Sequence, residues 1–133
     1  MVQLPARTDE EWKALLASSA TGFIRTHEDW VNSLTAFPSV VRLFGDTAIH
    51  PAAGLDKETL EAFTNSLIFR GGGLAHADYR MLQDKLTEPQ FQQLWESFGI
   101  APSLFVDCRG HFCAGDAPRS CVFTPGSLCL SNC

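Results

Sequence analysis

The residues best equipped for chemistry in this sequence are its five cysteines, Cys108, Cys113, Cys121, Cys129 and Cys133, and none occurs before position 108. They are spaced C-x4-C-x7-C-x7-C-x3-C, with His111 between the first two. Thiols at this density support several chemistries. One is metal ligation: Cys108, His111 and Cys113 lie close together in sequence, and Cys121 would complete a set of three thiolates and one imidazole for zinc. No CxxC is present, so the usual knuckle spacing of zinc sites and the spacing of plant-type iron–sulfur sites are both unmet. The same absence argues against a low-potential redox thiol pair. Another chemistry is disulfide formation, in which four of the cysteines pair and one is left over. A bridge stabilises a small element by about 2–4 kcal/mol. Cys108 lies beside Asp107 at the start of the cluster, where an unpaired thiol packs as a small apolar group. The expectation is therefore that Cys113, Cys121, Cys129 and Cys133 engage one another and Cys108 is the odd one out. Under the zinc reading, Cys108 and His111 are engaged together and Cys133 is free.

A further chemistry is thioether closure, because the cysteines are interleaved with Ser120, Thr124, Ser127 and Ser131, hydroxyls open to dehydration. A helical, acidic, cysteine-free N-terminal part followed by a short part dense in Cys, Ser and Thr resembles the organisation of ribosomally made, modified peptide precursors. The resemblance is one of layout. It implies a leader held by a modifying enzyme and a C-terminal core that is processed, with a terminal cysteine among the modified residues.

Composition narrows the alternatives. The chain has 133 residues, 45% of them hydrophobic and 19% charged, which suits one globular unit with a real core. The net charge of −5 falls in the first hundred residues, which carry 13 acids against 8 bases. The remainder balances Asp107 and Asp116 against Arg109 and Arg119. No basic footprint is present, so nucleic acid is not an expected partner. "MVQLPARTDEEW" lacks the basic and apolar regions of a secretory signal, and no apolar run approaches the length of a membrane span. Synthesis in the cytoplasm is expected, with export of the tail or of the whole chain left open.

The elements that must position the cysteines read as helices up to about residue 100. Thr8 with Glu11, Thr26 with Asp29, and Thr87 with Gln90 are N-cap signatures, and Asp56 opens another helix. The stripes that follow them are Trp12, Leu15 and Leu16; Trp30, Leu34 and Phe37; Leu60, Phe63 and Leu67; Tyr79, Leu82 and Leu86; and Phe91, Leu94, Trp95 and Phe98. Pro38 ends the second helix, and "SVVRLFG" adds a helical turn or two closed by Gly45. The pattern predicts that the helix from Asp56 runs to Arg70 and that "HADYRMLQDKL" is helical. "RGGGLAHADY" reads as a flexible connector in preference to an anion-binding nest, since it matches no phosphate-loop spacing. The aromatic helix reads as core in preference to a cofactor groove. His27, His50 and His76 read as surface or capping residues. No GxSxG or HExxH occurs, so catalysis is not expected.

After Ile100 the helical period disappears. "SLFVDC" and "HFCA" read as β runs around Arg109–Gly110, "CVFT" and "SLCL" as β runs around Pro125–Gly126, and "GDAPRS" as the loop between. The expected fold is α+β: a mostly α-helical bundle over about residues 8–100, with a small cysteine-rich β-hairpin module at the C-terminus. The domain reading is 1–100 helical and 101–133 a cysteine-rich tail packed on or tethered to it. A chain ending at Gly99 is then expected to remain a soluble helical domain. Functionally this points to a non-enzymatic protein whose tail is the working part. The leading version is a peptide-precursor-like substrate; the alternative is a disulfide- or zinc-stapled structural or interaction module, such as an assembly subunit or adaptor. A protein partner or modifying enzyme follows from either, and no cofactor is expected unless zinc.

Overall fold

The structure, a computed structural model, describes residues 4–45, 49–114 and 120–133. The fold is mixed α and β: α1 (Asp9–Ala17), α2 (His27–Val40), α3 (Lys57–Ser66), β1 (Ile68–Arg70), β2 (Gly73–Asp78), a 3-10 turn (Arg80–Leu82), α4 (Glu88–Ser97), α5 (Pro102–Cys108), β3 (Arg109–Ala114) and β4 (Ser120–Cys129). The strands form one four-stranded antiparallel sheet in the order β1-β2-β4-β3. The expected helical bundle is corrected by this sheet, whose strands β1 and β2 occupy residues 68–78 of the stretch expected to be helical.

The helix starts follow the local chemistry of capping. Thr8, Thr26, Asp56 and Thr87 accept the backbone N–H groups of Glu11, Asp29, Thr59 and Gln90, respectively. At α4 the Gln90 side chain returns the bond to the Thr87 N–H at 2.9 Å, completing a capping box. Glu11 bonds one residue further back, accepting the Arg7 N–H at 2.8 Å. Pro38 interrupts α2 but does not terminate it. A non-helical Ala36 kinks the helix ahead of it, and the last turn runs on to Val40.

Two helical readings are overturned. α3 stops at Ser66, and Ile68–Arg70 is extended; "HADYRML" is the end of β2 followed by a 3-10 turn. The cause is Gly71–Gly72, both with positive φ (62° and 94°), which close a two-residue hairpin of the kind whose twist matches paired strands. A β-branched and an aromatic residue, Ile68 and Phe69, precede the turn and suit a strand better than a helix end. The turn is clasped from outside. Arg25 donates to Gly72 O at 2.7 Å, Leu16 O at 2.8 Å, Ala20 O at 2.7 Å and Ser18 O at 3.1 Å, joining the hairpin to the end of α1.

The core gathers all three tryptophans with Phe63, Phe98 and Leu15. Trp30 stacks on Phe98 at 5.4 Å between ring centroids, and Trp95 on Phe105 of α5 at 5.2 Å. Leu94, Trp95 and Phe98 are buried, and Phe91 is half-buried against Tyr79 and Phe105. Leu104, Phe105, Leu128 and Leu130, from beyond residue 100, belong to the same cluster as Trp12 and Leu15. His27 is exposed, but His50 and His76 are buried, which corrects their surface reading; His50 does cap a local backbone group, the Ala52 N–H. Among the described residues, no helix is long and apolar enough to cross a membrane.

Candidate functional site

The cysteines sit on three consecutive pieces of chain. The first is helical, which corrects the extended reading of "SLFVDC". Pro102 opens α5 in its first turn, where its missing N–H costs nothing, and Leu104, Phe105 and Cys108 share the inward face. Gly110, with φ +79°, marks the irregularity at which β3 settles into its pairing with β4. From there His111 faces Phe123, Phe112 faces Val122, and Cys113 faces Cys121.

β4 is not straight. The Cα atoms of Cys121 and Cys129 are 5.6 Å apart, whereas eight residues of extended strand span about 26 Å. The chain doubles back near Pro125–Gly126, where Gly126 has φ +85°. Arg80 holds the bend, donating through Nη2 to Pro125 O at 2.6 Å, and Tyr79 N–H donates to Gly126 O at 2.9 Å. The arm Ser120–Phe123 then pairs with β3, and the other, Ser127–Cys129, pairs with β2 and meets β3 once more at Arg109–Leu128.

Two disulfides cross this bent strand. Cys113 is bonded to Cys133, with Cα atoms 5.7 Å apart, and Cys121 to Cys129. Cys108 carries the free thiol. Burial, with the carboxylates of Asp9 and Asp107 adding to it, pushes that thiol up to about 11, so it stays protonated and poorly nucleophilic. The last turn is anchored to α1 and to the β1–β2 hairpin by Asn132. Its Oδ1 accepts the Trp12 indole N–H at 3.0 Å, and its Nδ2 donates to Arg70 O at 2.8 Å and Leu74 O at 3.1 Å. Sequence reasoning missed Asn132, and no sequence signal marks it.

The four residues of the zinc reading are only partly brought together. Cys108, His111 and Cys121 line one groove of about 350 Å³ with Asp9, Asp107 and Cys129, but Cys113 is bonded to Cys133. Among the described residues, the group whose ligand atoms all lie within 4.8 Å of one another is a different one: Cys113, Cys129 and Cys133.

The hydroxyls expected to undergo dehydration are scattered. Ser127 is buried, and its Oγ donates to Asp78 Oδ1 at 2.5 Å; Thr124 is half-buried and Ser131 exposed. The side chain of Ser120 and residues 115–119 of the expected loop lie outside the described residues. Asp78 also lies 3.5 Å from His76 Nε2. Burial lowers the His76 pKa, with Asp78 opposing it. Because Ser127 bonds the carboxylate instead of the imidazole, the order needed to activate a serine nucleophile is not formed here.

No family model, curated protein or solved structure matches this chain. Its functional reading therefore rests on this geometry. The hairpin's distinguishing surface feature is apolar: Phe123 is 76% exposed, Val122 47% and Phe112 38%.

Proposed function

We propose that this protein is a non-enzymatic interaction module in which the stapled hairpin presents its outer strand and exposed apolar side chains to a polypeptide partner. The observation that carries this reading is the exposure of Phe112 and Val122, partners on one face of the β3–β4 ladder, and of Phe123 on the other face, on a hairpin crossed by two disulfides. Apolar side chains grouped on one small element are a liability in a free chain and an asset in a bound one. Strand β3 ends the sheet, an edge of the kind to which a partner strand can be added, although the Cys113 N–H is already taken by His76 Nδ1 at 3.5 Å. The bridges hold this surface in place beforehand and so reduce the ordering that binding must oppose.

Burial favours this reading over the peptide-precursor one. Cys113, Cys129 and Ser127 are buried in the sheet, and Leu128 and Leu130 on either side of Cys129 are in the core. A modifying enzyme would have to unfold this region to reach them. Two measurements on protein purified with its cellular partners test the proposal. Intact mass should rise by two hydrogens per bridge on reduction, with no loss of water. The chain should copurify with one partner at fixed stoichiometry, and Phe123→Lys should abolish this while leaving the circular dichroism unchanged. Dehydrated mass in the C-terminal residues would overturn the proposal in favour of a precursor, as would partner retention by Phe123→Lys together with Val122→Lys.

A further inference from the structure

We propose that the four bridged cysteines form a redox-gated zinc site: when both disulfides are reduced, Cys113, Cys121, Cys129 and Cys133 bind one Zn2+ as a four-thiolate centre. The sulfurs of Cys113, Cys129 and Cys133 already lie within 4.8 Å of one another, and that of Cys121 is bonded to Cys129. Four thiolates around zinc, at about 2.3 Å each in a tetrahedron, stand about 3.8 Å apart. Three of the four sulfurs are thus gathered in a space close to that size before any ion arrives, and the fourth, that of Cys121, is tied to them through Cys129. Reaching the tetrahedron requires the bonded pairs to separate, the remaining contacts among Cys113, Cys129 and Cys133 to close by up to about an ångström, and the Cys121 sulfur to swing inward, movements of the kind that side-chain rotation supplies.

The backbone arrangement keeps the ligands together once the bridges are gone. Cys113 and Cys121 are direct partners in the β3–β4 ladder. Cys129 and Cys133 flank a turn closed by the Cys133 N–H donating to Leu130 O at 3.0 Å, and Leu130 is fully buried. Their C-x3-C spacing falls within the range of paired zinc ligands. Asn132 fixes this turn to β2 and to Trp12. Cys113 and Cys129 are buried and Cys133 half-buried, so the centre is covered on the core side and open to solvent at Cys121. The site differs from the Cys108–His111 set that spacing alone suggests, since it takes both members of each bridge and excludes the free thiol.

The chemistry balances with a dithiol reductant. Each bridge takes two electrons and two protons, its S–S bond breaks to two thiols, and the reductant leaves as its own disulfide. The four thiols then lose four protons to solvent as four Zn–S bonds form. Oxidation by a disulfide of higher potential reverses the sequence and expels the ion. The proposal stands apart from the interaction reading, because it concerns the sulfurs and not the exposed hairpin residues.

The test compares the oxidised protein with protein reduced by a phosphine, each given Zn2+ and then desalted for native mass spectrometry. One zinc per chain is expected in the reduced protein and none in the oxidised. Co2+ in place of Zn2+ should give the sulfur-to-cobalt charge-transfer band and the intense visible bands of a tetrahedral thiolate site. Cys108→Ser and His111→Ala should keep both signals, whereas Cys129→Ser should weaken metal binding by at least about tenfold against a chromophoric chelator. Circular dichroism separates binding from folding: if the reduced chain loses structure without metal, stoichiometric zinc should restore it. Absence of zinc from the reduced wild-type chain overturns the proposal. So does loss of zinc in Cys108→Ser, which would put the ion in the neighbouring groove.

Discussion

His50 is closed in by Trp30 and Phe37, and its protonation state can be read from its hydrogen bonds. The Ala52 N–H donates to Nδ1 at 3.0 Å, so Nε2 carries the proton and donates to Ser33 Oγ at 3.2 Å; the Ser33 hydroxyl in turn donates to Trp30 O. Burial lowers the pKa of this neutral imidazole from 6.5 to about 4. The unfolded chain therefore takes up a proton below its own value near 6.5 while the folded chain does not until near 4. Stability is fully present above 6.5 and falls by roughly 3 kcal/mol between 6.5 and 4. Urea titrations across that range should reveal the loss, and His50→Phe should remove most of it. Cys108 leads to a second expectation at the same scale. With its thiol pushed up to about 11, alkylation by iodoacetamide at neutral pH should be about a hundredfold slower in the folded protein than in denaturant. Labelling at the free-thiol rate would show Cys108 to be exposed and ionised.

Among the elements, the β1–β2 hairpin is where local and long-range forces meet. Its turn glycines adopt positive φ without cost, but the hairpin is held from two directions by side chains far away in sequence, Arg25 and Asn132. Gly73, which follows the turn, has no room for a side chain, since a Cβ there would stand 2.5 Å from Leu16 Cδ2 and 3.2 Å from the Trp12 ring. Asn132→Ala should leave the Trp12 indole N–H and the Leu74 carbonyl without partners in a part-buried site. A loss of roughly 2–3 kcal/mol in chemical denaturation is expected. A loss below about half a kcal/mol would mean that water replaces the amide. The caps of the same molecule behave differently. Each joins residues three apart, so Thr8, Thr26, Asp56 and Thr87 can be recognised from the sequence with no knowledge of the rest of the chain.

At the scale of the whole molecule, the sheet order β1-β2-β4-β3 crosses residue 100 between its second and third strands. A chain ending at Gly99 would lose the pairing partner of β2, the Phe105 ring that stacks on Trp95, and Leu104, Leu128 and Leu130 from the core. It is expected to lack a cooperative thermal transition, in contrast to the independent helical domain that the hydrophobic pattern suggests. A cooperative transition in residues 1–99 would show that the helices carry a core of their own. What the sequence alone determined are the features decided within a turn or two of chain: the helix starts, the apolar stripes that bury Trp12, Trp30 and Trp95, the reversal at Pro125–Gly126, and the confinement of all sulfur chemistry to the segment after residue 107. Tertiary structure decided the rest. Ile68–Arg70 carries two competing local signals, the end of the Leu60–Phe63–Leu67 stripe and the Gly71–Gly72 turn, and becomes a strand because β2, itself paired with β4, holds it there. Asn132 is an ordinary terminal residue until Trp12, 120 positions away, supplies the indole N–H that it accepts. The partners of the five cysteines follow from the doubling back of β4, which puts Cys121 beside Cys129 and leaves Cys133 next to Cys113. A cap is a local bond, whereas a sheet and a bridge each need two distant stretches of chain to arrive at one place, and only the packed core specifies where that is.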